Sequence, residues 1–263
     1  MMMVEPVRSL GAFTLLFLSR LGRMGMFLGR TLRGMGQPPG KLRPTLKQIH
    51  FIGTKSFFVI GFTASFTGMV LALQGYYTLS QFGSEGLLGS AVAMSLIREL
   101  GPVLTALMVT GRAGSAMCAE IGIMRIDEQI DALECMAIDP HSYLVAPRLL
   151  AGLVALPLLT AFCDVVGIFG GYVVGVELLG VNPGAYLQGI EISIVWDDVY
   201  MGIVKSFIFA FIMIWICTCK GFYAGLDEGS FGPEVVSRAT TDAVVLSSVS
   251  ILIGDYVVTS ILL

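Results

Sequence analysis

Five long apolar blocks separated by polar connectors constrain this chain more than any other feature of its 263 residues. They run Phe57–Leu73, Leu87–Cys118, Leu144–Val176, Val199–Cys219 and Ala243–Leu263. Each is close to or above the ~20 residues that cross ~30 Å of hydrocarbon at ~1.5 Å per residue. Backbone groups in lipid must satisfy one another, and runs this long without period-two alternation exclude a closed barrel and leave helices. Composition agrees: 13% of residues are charged, against about a quarter in soluble domains, and the mean hydropathy is +0.83. The expectation is an all-α integral membrane protein in one domain, 1–263, with a lead-in and linker over 1–45 and a five-helix core over 46–263.

Sixteen basic against nineteen acidic residues create no field that would favour nucleic acid, so the placement of each sign carries the information. Fourteen of the sixteen Lys and Arg lie before block one, between blocks two and three (Arg112, Arg125, Arg148) or between blocks four and five (Lys220, Arg238). The other two connectors, Tyr76–Gly86 and Glu177–Asp198, contain none. This bias predicts a cytoplasmic N-terminus and, after five crossings, an outer C-terminus. The apolar stretch Leu10–Leu18 is short and lacks an A-x-A site, so it does not read as a secretory signal. The five cysteines lie in or beside apolar blocks, and the one close pair, Cys217 and Cys219, points apart on a helix; neither a disulfide framework nor a metal site is signalled.

Wound as a helix, the N-terminal segment gathers Arg8, Arg20, Arg23, Arg30 and Arg33 on one side and Leu10, Phe13, Phe17, Leu21, Met24 and Leu28 on another. Leu15, Leu16, Met26 and Phe27 spoil the polar arc. This predicts an amphipathic interfacial helix in the cytoplasmic headgroup layer, ended by Pro38 and Pro39. A loosely packed basic tail is the alternative. Between blocks two and three, Glu120–Pro140 places Ile126, Ile130, Leu133 and Ala137 on one helical face and Asp127, Glu128, Asp131 and Glu134 around the other. A short cytoplasmic helix follows, stopped at Asp139-Pro140. Its apolar stripe should dock on the protein's own helix ends or on a partner, and its acidic face suits a basic cleft.

Ionisable residues inside spans are costly and serve as candidates for function. Arg98 and Glu99 sit in block two, Asp164 in block three, Lys205 in block four and Asp255 in block five. Adjacent helical residues point to different sides, so Arg98 and Glu99 do not simply neutralise each other. Arg98 should lie about 15 Å into block two, near mid-membrane. Each charge needs either a buried partner on another helix or a cavity that receives a charged headgroup. Gly101-Pro102 should bend the helix beside them. Gly167, Gly171 and Gly175 form two G-x-x-x-G steps that let a helix of this chain or of a second copy approach closely.

No catalytic machinery emerges. The two histidines, His50 and His141, lie at the cytoplasmic rim, and the H-E-x-x-H, G-x-S-x-G and G-x-x-x-x-G-K-[ST] patterns are missing from the sequence. Two other readings have residues behind them. One is an intramembrane aspartyl protease built on Asp164 and Asp255; the other is a non-transporting scaffold that recruits soluble proteins through its acidic loop.

The run Arg98-Glu-Leu-Gly-Pro-Val, continuing through Gly111-Arg-Ala-Gly-Ser and Ala119-Glu-Ile-Gly-Ile-Met-Arg to Glu128-Gln and Met136-Ala-Ile-Asp-Pro, strongly resembles the MlaE-type permease family of lipid ABC transporters. Gly68-Met-Val-Leu-Ala-Leu-Gln-Gly-Tyr, Pro147-Arg and Ser237-Arg-Ala-Thr-Thr extend the likeness from about Lys47 to the C-terminus. The resemblance implies a homodimeric permease in a bacterial inner membrane, moving phospholipid or a related lipid between inner and outer membranes. It implies cytoplasmic ATPases that bind the ATP, so no cofactor here, an outer ring of MCE-domain proteins and often a STAS-domain regulator. Carried onto this chain, it nominates Leu71, Gln74, Tyr76, Arg98, Glu99 and Leu100 as lipid-binding. It also makes the Glu120–Pro140 segment, with Arg125, Asp127, Glu128, Asp131 and Glu134, the coupling element that takes up ATPase motion.

Overall fold

The computed structural model describes residues 4–35, 42–225 and 232–262, which are helical throughout apart from short turns. The elements are α1 (Val4–Met35), α2 (Leu42–Ser80), α3 (Glu85–Ile126), α4 (Gln129–Cys135), α5 (His141–Leu178), α6 (Pro183–Ser193), α7 (Trp196–Phe222) and α8 (Pro233–Leu262). Five of them, α2, α3, α5, α7 and α8, are long and apolar enough to cross a membrane. Four contain their apolar block and overrun it at both ends, and α8 begins well before its own, because hydropathy stops at the first polar residues while a helix continues through them where its end reaches water. Thus α2 begins at Leu42, inside the segment read as lead-in, with Pro44 tolerated in its first turn. Arg112, placed in the inner connector by sequence, sits within α3, and its guanidinium donates to the Phe51 carbonyl of α2. It lies 27 residues beyond Glu85, about 40 Å by helical rise and so past ~30 Å of hydrocarbon.

The helices pack around three apolar clusters strung along the bundle. The middle one joins all five spans through Ile60, Ala106, Leu156, Phe209, Met213 and Ile251. At one end, Leu88, Leu96, Val174 and Tyr186 form the second, and α6 closes it. Asn182 caps α6, its carboxamide oxygen accepting from the Gly184 N–H at 2.8 Å, with Pro183 in the first turn. The Tyr186 hydroxyl donates to the Ile168 carbonyl at 3.2 Å, and burial pushes this phenol up to about 12. At the other end Phe27, Ile121, Ile130, Leu144 and Phe222 bring α1 and α4 onto the ends of α3, α5 and α7.

The glycine steps of α5 find their partner inside the chain. Gly68 of α2 lies so close to Gly167 that a Cβ there would fall on the Gly167 carbonyl, and Gly170 abuts Ser65 in the same way. Gly171 and Gly175 instead make room for Tyr186, Val92 and Leu88. Small residues let the two backbones touch, which is how close packing is achieved in lipid.

Two expectations are corrected here. Phe27, which the sequence reads as spoiling the polar arc of α1, is fully buried, 4.9 Å from the His141 ring. The Trp215 indole donates to the Met24 carbonyl at 3.1 Å and the Ser142 hydroxyl to the Gly34 carbonyl at 3.1 Å. Leu21 faces outward with Leu15, Leu18, Met26 and Leu32. The side chains of Arg8, Leu10, Phe13, Phe17 and Arg20, and the stop at Pro38 and Pro39, lie outside the described residues. The second correction concerns Glu120–Pro140, which is not one helix. Glu120–Ile126 is the end of α3, Glu128 turns the chain with φ 56°, and α4 stops at Cys135, followed by Ala137 with φ 58°. Asp139 does not stop α4; its carboxylate accepts from the His141 and Ser142 N–H groups and starts α5. Ile130 is fully buried and Leu133 packs beside it, so the apolar stripe docks on the protein's own helix ends.

Candidate functional site

Proline at 102 organises the polar centre. In a regular helix its N–H would bond the carbonyl four residues back, which is Arg98; proline has none. The turn Leu96–Leu100 is widened to a π-turn, a form frequent at functional sites. Lys205 of α7 supplies the missing donor: its ammonium reaches the Arg98 carbonyl at 2.9 Å. It also donates to Glu99 Oε2 at 2.6 Å, and it lies 2.9 Å from Asp255 Oδ1 as an ion pair. This fully buried lysine ties α3, α7 and α8 at one atom. The Thr259 hydroxyl adds a longer donation to Glu99 Oε1 at 3.3 Å.

Arg98 leaves the same turn in another direction, as expected for adjacent helical residues, and its Nε meets Asp198 Oδ1 at 2.8 Å. Asp198 stands in the first turn of α7, where a carboxylate is favoured by the helix dipole, and its Oδ2 accepts from the Val195 N–H at 3.1 Å. The guanidinium reaches toward the α6 end of the bundle, and Lys205 lies two turns further along α7, about 10 Å. Buried charges need this pairing, since an isolated one would be expelled. The paired groups are not sealed: the Arg98 side chain is 32% exposed and the Glu99 side chain 40%.

The other nominated residues divide by face. Leu71, Tyr76 and Leu100 are half-buried on one apolar cluster between α2, α3 and α5, with Leu96 and Tyr186. Gln74 is exposed. The sequence marks Lys205 and Asp255 as costly charges, with Asp255 also half of the protease pair, counts Asp198 as loop and does not single out Thr259. The one signal available was an ionisable residue on each of several spans. Asp164 lies elsewhere, against Gly101. It shares no hydrogen bond with Asp255 among the described residues, so the proton-sharing pair of an aspartyl protease is not assembled.

At the opposite end, the segments around α4 are braced. Buried Arg148 donates to the Leu144 carbonyl at 2.7 Å and pairs with Glu120 at 2.8 Å, joining α5 to α3. Arg125 pairs with Asp131 at 2.7 Å across the turn before α4. Asp127, Glu128 and Glu134 stay exposed beside Met136, Ile138 and Tyr143.

A permease family model, Permease MlaE, matches residues 45–261. A protein of Haemophilus influenzae called intermembrane phospholipid transport system permease protein MlaE is 40% identical over 262 residues, covering 99% of this chain and 98% of that one. A probable ABC transporter permease protein of Rickettsia felis is 40% identical over 260 residues, with 99% and 98% covered. The chloroplastic protein TRIGALACTOSYLDIACYLGLYCEROL 1 of Arabidopsis thaliana is 34% identical over 83% of this chain and 61% of its own length. With five membrane-length helices and a family match over nearly all of its length, the chain belongs to the MlaE family of ABC transporter permeases.

Proposed function

We propose that this chain is the membrane-spanning, non-catalytic subunit of an ABC transporter that moves phospholipid between inner and outer membranes. The observation that carries the reading is the end-to-end likeness to a permease named for intermembrane phospholipid transport. ATP is bound and hydrolysed on a separate cytoplasmic subunit, consistent with a sequence that has no phosphate loop. The basic bias places α1, α4 and the N-terminus in the cytoplasm and α6 and the C-terminus outside the inner membrane, with MCE-domain proteins on the outer face and a STAS-domain regulator with the ATPase. The apolar flank of α1, Leu15, Leu18, Leu21, Met26 and Leu32, sits in the cytoplasmic lipid boundary next to exposed Arg30 and Arg33.

Half-exposed charges at membrane depth cannot face lipid tails. A second copy covers them, making a homodimer whose shared cavity is lined by Arg98 and Glu99 on its polar side and by Leu71, Gln74, Tyr76 and Leu100 on its apolar side. A scaffold would gain nothing from the cost of those charges. Arg98 holds the lipid phosphate, since its planar fork binds two oxygens where Lys offers a point charge. The full chain purified in mild detergent should carry phospholipid, read by mass spectrometry of the extract. Arg98→Ala should lower that amount several-fold while the protein remains dimeric; an unchanged amount would exclude Arg98 from the site.

The acidic surface of α4 and its turn is the coupling element. Reversing Asp127, Glu128 and Glu134 together to Lys should abolish ATPase co-purification, because breaking charge contacts across an interface costs about 2–5 kcal/mol each. Membrane insertion should be unaffected, and retained co-purification with stimulated ATP turnover would sink the coupling role.

A further inference from the structure

The helices α2 and α5 touch at one level and part at another. A Cβ on Gly68 would fall on the Gly167 backbone; on Gly61, two turns earlier, it would meet only the Phe162 ring at 3.4 Å; on Gly53, two turns earlier again, it would meet nothing within 4 Å. The parting leaves a groove of about 530 Å³ between the N-terminal halves of the two helices, within the ~300–1,000 Å³ of small-molecule sites. It follows α2 from Leu46 to Phe58, about 18 Å by helical rise. The Phe57 and Phe162 rings, stacked at 4.0 Å, line its deeper end, and Leu158 of α5 stands exposed on its wall.

Polarity changes along that length. Arg43, Lys47, His50, Thr54 and Phe58 follow one another at three- or four-residue spacing, which puts them on one face of α2. Arg43 and Lys47 are exposed at the start of that face, and among the described residues neither has a carboxylate partner. Their stems lean toward the helix N-terminus, so the charges reach outward. Deeper, the Thr54 hydroxyl and His50 Nδ1 share a hydrogen bond at 3.1 Å. Past Thr54 the lining is apolar. Cation, neutral polar pair and hydrocarbon are the order in which a glycerophospholipid presents its phosphate, ester and acyl chain.

We propose that this groove binds an anionic glycerophospholipid of the leaflet around the N-terminal ends of α2 and α5, one acyl chain between the helices and the phosphate at Arg43 and Lys47. By the basic bias that leaflet is the cytoplasmic one, where basic residues at helix ends attract anionic headgroups. A spanning helix from a second copy or another protein fits less well: it needs a seat along ~30 Å of hydrocarbon, and here α2 and α5 close on each other beyond Phe58. The site is separate from Arg98 and stands or falls apart from the transport reading.

The test places the photo-crosslinking residue p-benzoylphenylalanine at position 158 of the full chain, in nanodiscs of equal parts dioleoylphosphatidylglycerol and dioleoylphosphatidylcholine, and reads adducts by intact mass after irradiation. Position 165, where Val165 is exposed on the same helix past the groove, is the control. At position 158 phosphatidylglycerol should be captured about fivefold over phosphatidylcholine, the pull of one basic residue on an anionic lipid; at position 165 the two should be captured alike. Arg43→Gln with Lys47→Gln should abolish the preference at 158 and leave the total lipid adduct unchanged. Gly53→Phe, which fills the open floor, should cut the total adduct several-fold at 158 and not at 165. Equal capture of the two lipids by the parent, or a preference that survives the double substitution, overturns the headgroup assignment. A total adduct that Gly53→Phe leaves unchanged overturns the acyl-chain placement. An adduct of twice the chain's mass, or a polypeptide adduct in place of lipid when whole membranes are irradiated, gives the groove to a second copy or to another membrane helix and overturns the proposal. If Gly53→Phe does not fold, the double substitution decides alone, since Arg43 and Lys47 are exposed.

Discussion

Lys205→Met is expected to prevent the chain from accumulating as a folded protein. Methionine fills nearly the same volume, so packing is kept while the charge is removed. The two carboxylates at 2.6 and 2.9 Å, Glu99 and Asp255, then lose their shared cation, and the Arg98 carbonyl loses the donor that Lys205 supplies. Breaking a buried pair in this way costs about 3–5 kcal/mol, because a charge is left without compensation. Size-exclusion profiles of detergent extracts, taken across a temperature ramp, should show loss of the monodisperse peak. Adding Glu99→Gln and Asp255→Asn to Lys205→Met should recover most of the peak, since a neutral cluster has no charge to strand. If Lys205→Met alone melts like the parent, the lysine is not the tie between α3, α7 and α8.

Gly68→Ala should be nearly as damaging, although it adds a single methyl group. The new Cβ would fall on the backbone carbonyl of Gly167, which no rotamer change can move, so α2 and α5 must part along their whole contact. Overpacking of this kind costs about 1–3 kcal/mol and more where backbone must shift. Gly53→Ala is the matched control. It lies on the same helix with open space where its Cβ would sit, and alanine is favoured over glycine in helices by about 1 kcal/mol. Thermal stability should therefore fall for position 68 and hold or rise for position 53. Equal behaviour of the two variants would mean that α2 and α5 do not cross at Gly68.

Some of this was legible in the chain alone, for local reasons. Whether a segment can cross a membrane depends on its own length and hydropathy, so the five spans emerged from the blocks, with ends displaced only where a helix outruns its apolar stretch. The cost of a charge in lipid is also local, and it marked Arg98, Glu99, Lys205 and Asp255 before any neighbour was known. The glycines of α5 announced a close approach because a missing Cβ allows nothing else so well.

Partners were decided by the tertiary structure. Sequence could say that Arg98 and Glu99 each needed a counter-charge or a cavity; the fold chose Asp198 for one, and Lys205 with Asp255 nearby for the other. It chose α2 of the same chain for the glycine steps, and it buried Phe27 of α1 against the bundle end. It also broke the Glu120–Pro140 segment at Glu128 and Ala137, which take positive φ, and docked Ile130 onto the bundle end. The physical reason is common to all of them. Helix formation and membrane insertion are settled within about twenty residues, whereas a side chain's partner depends on the azimuth and register of helices a hundred residues apart, which many small packing contacts determine together.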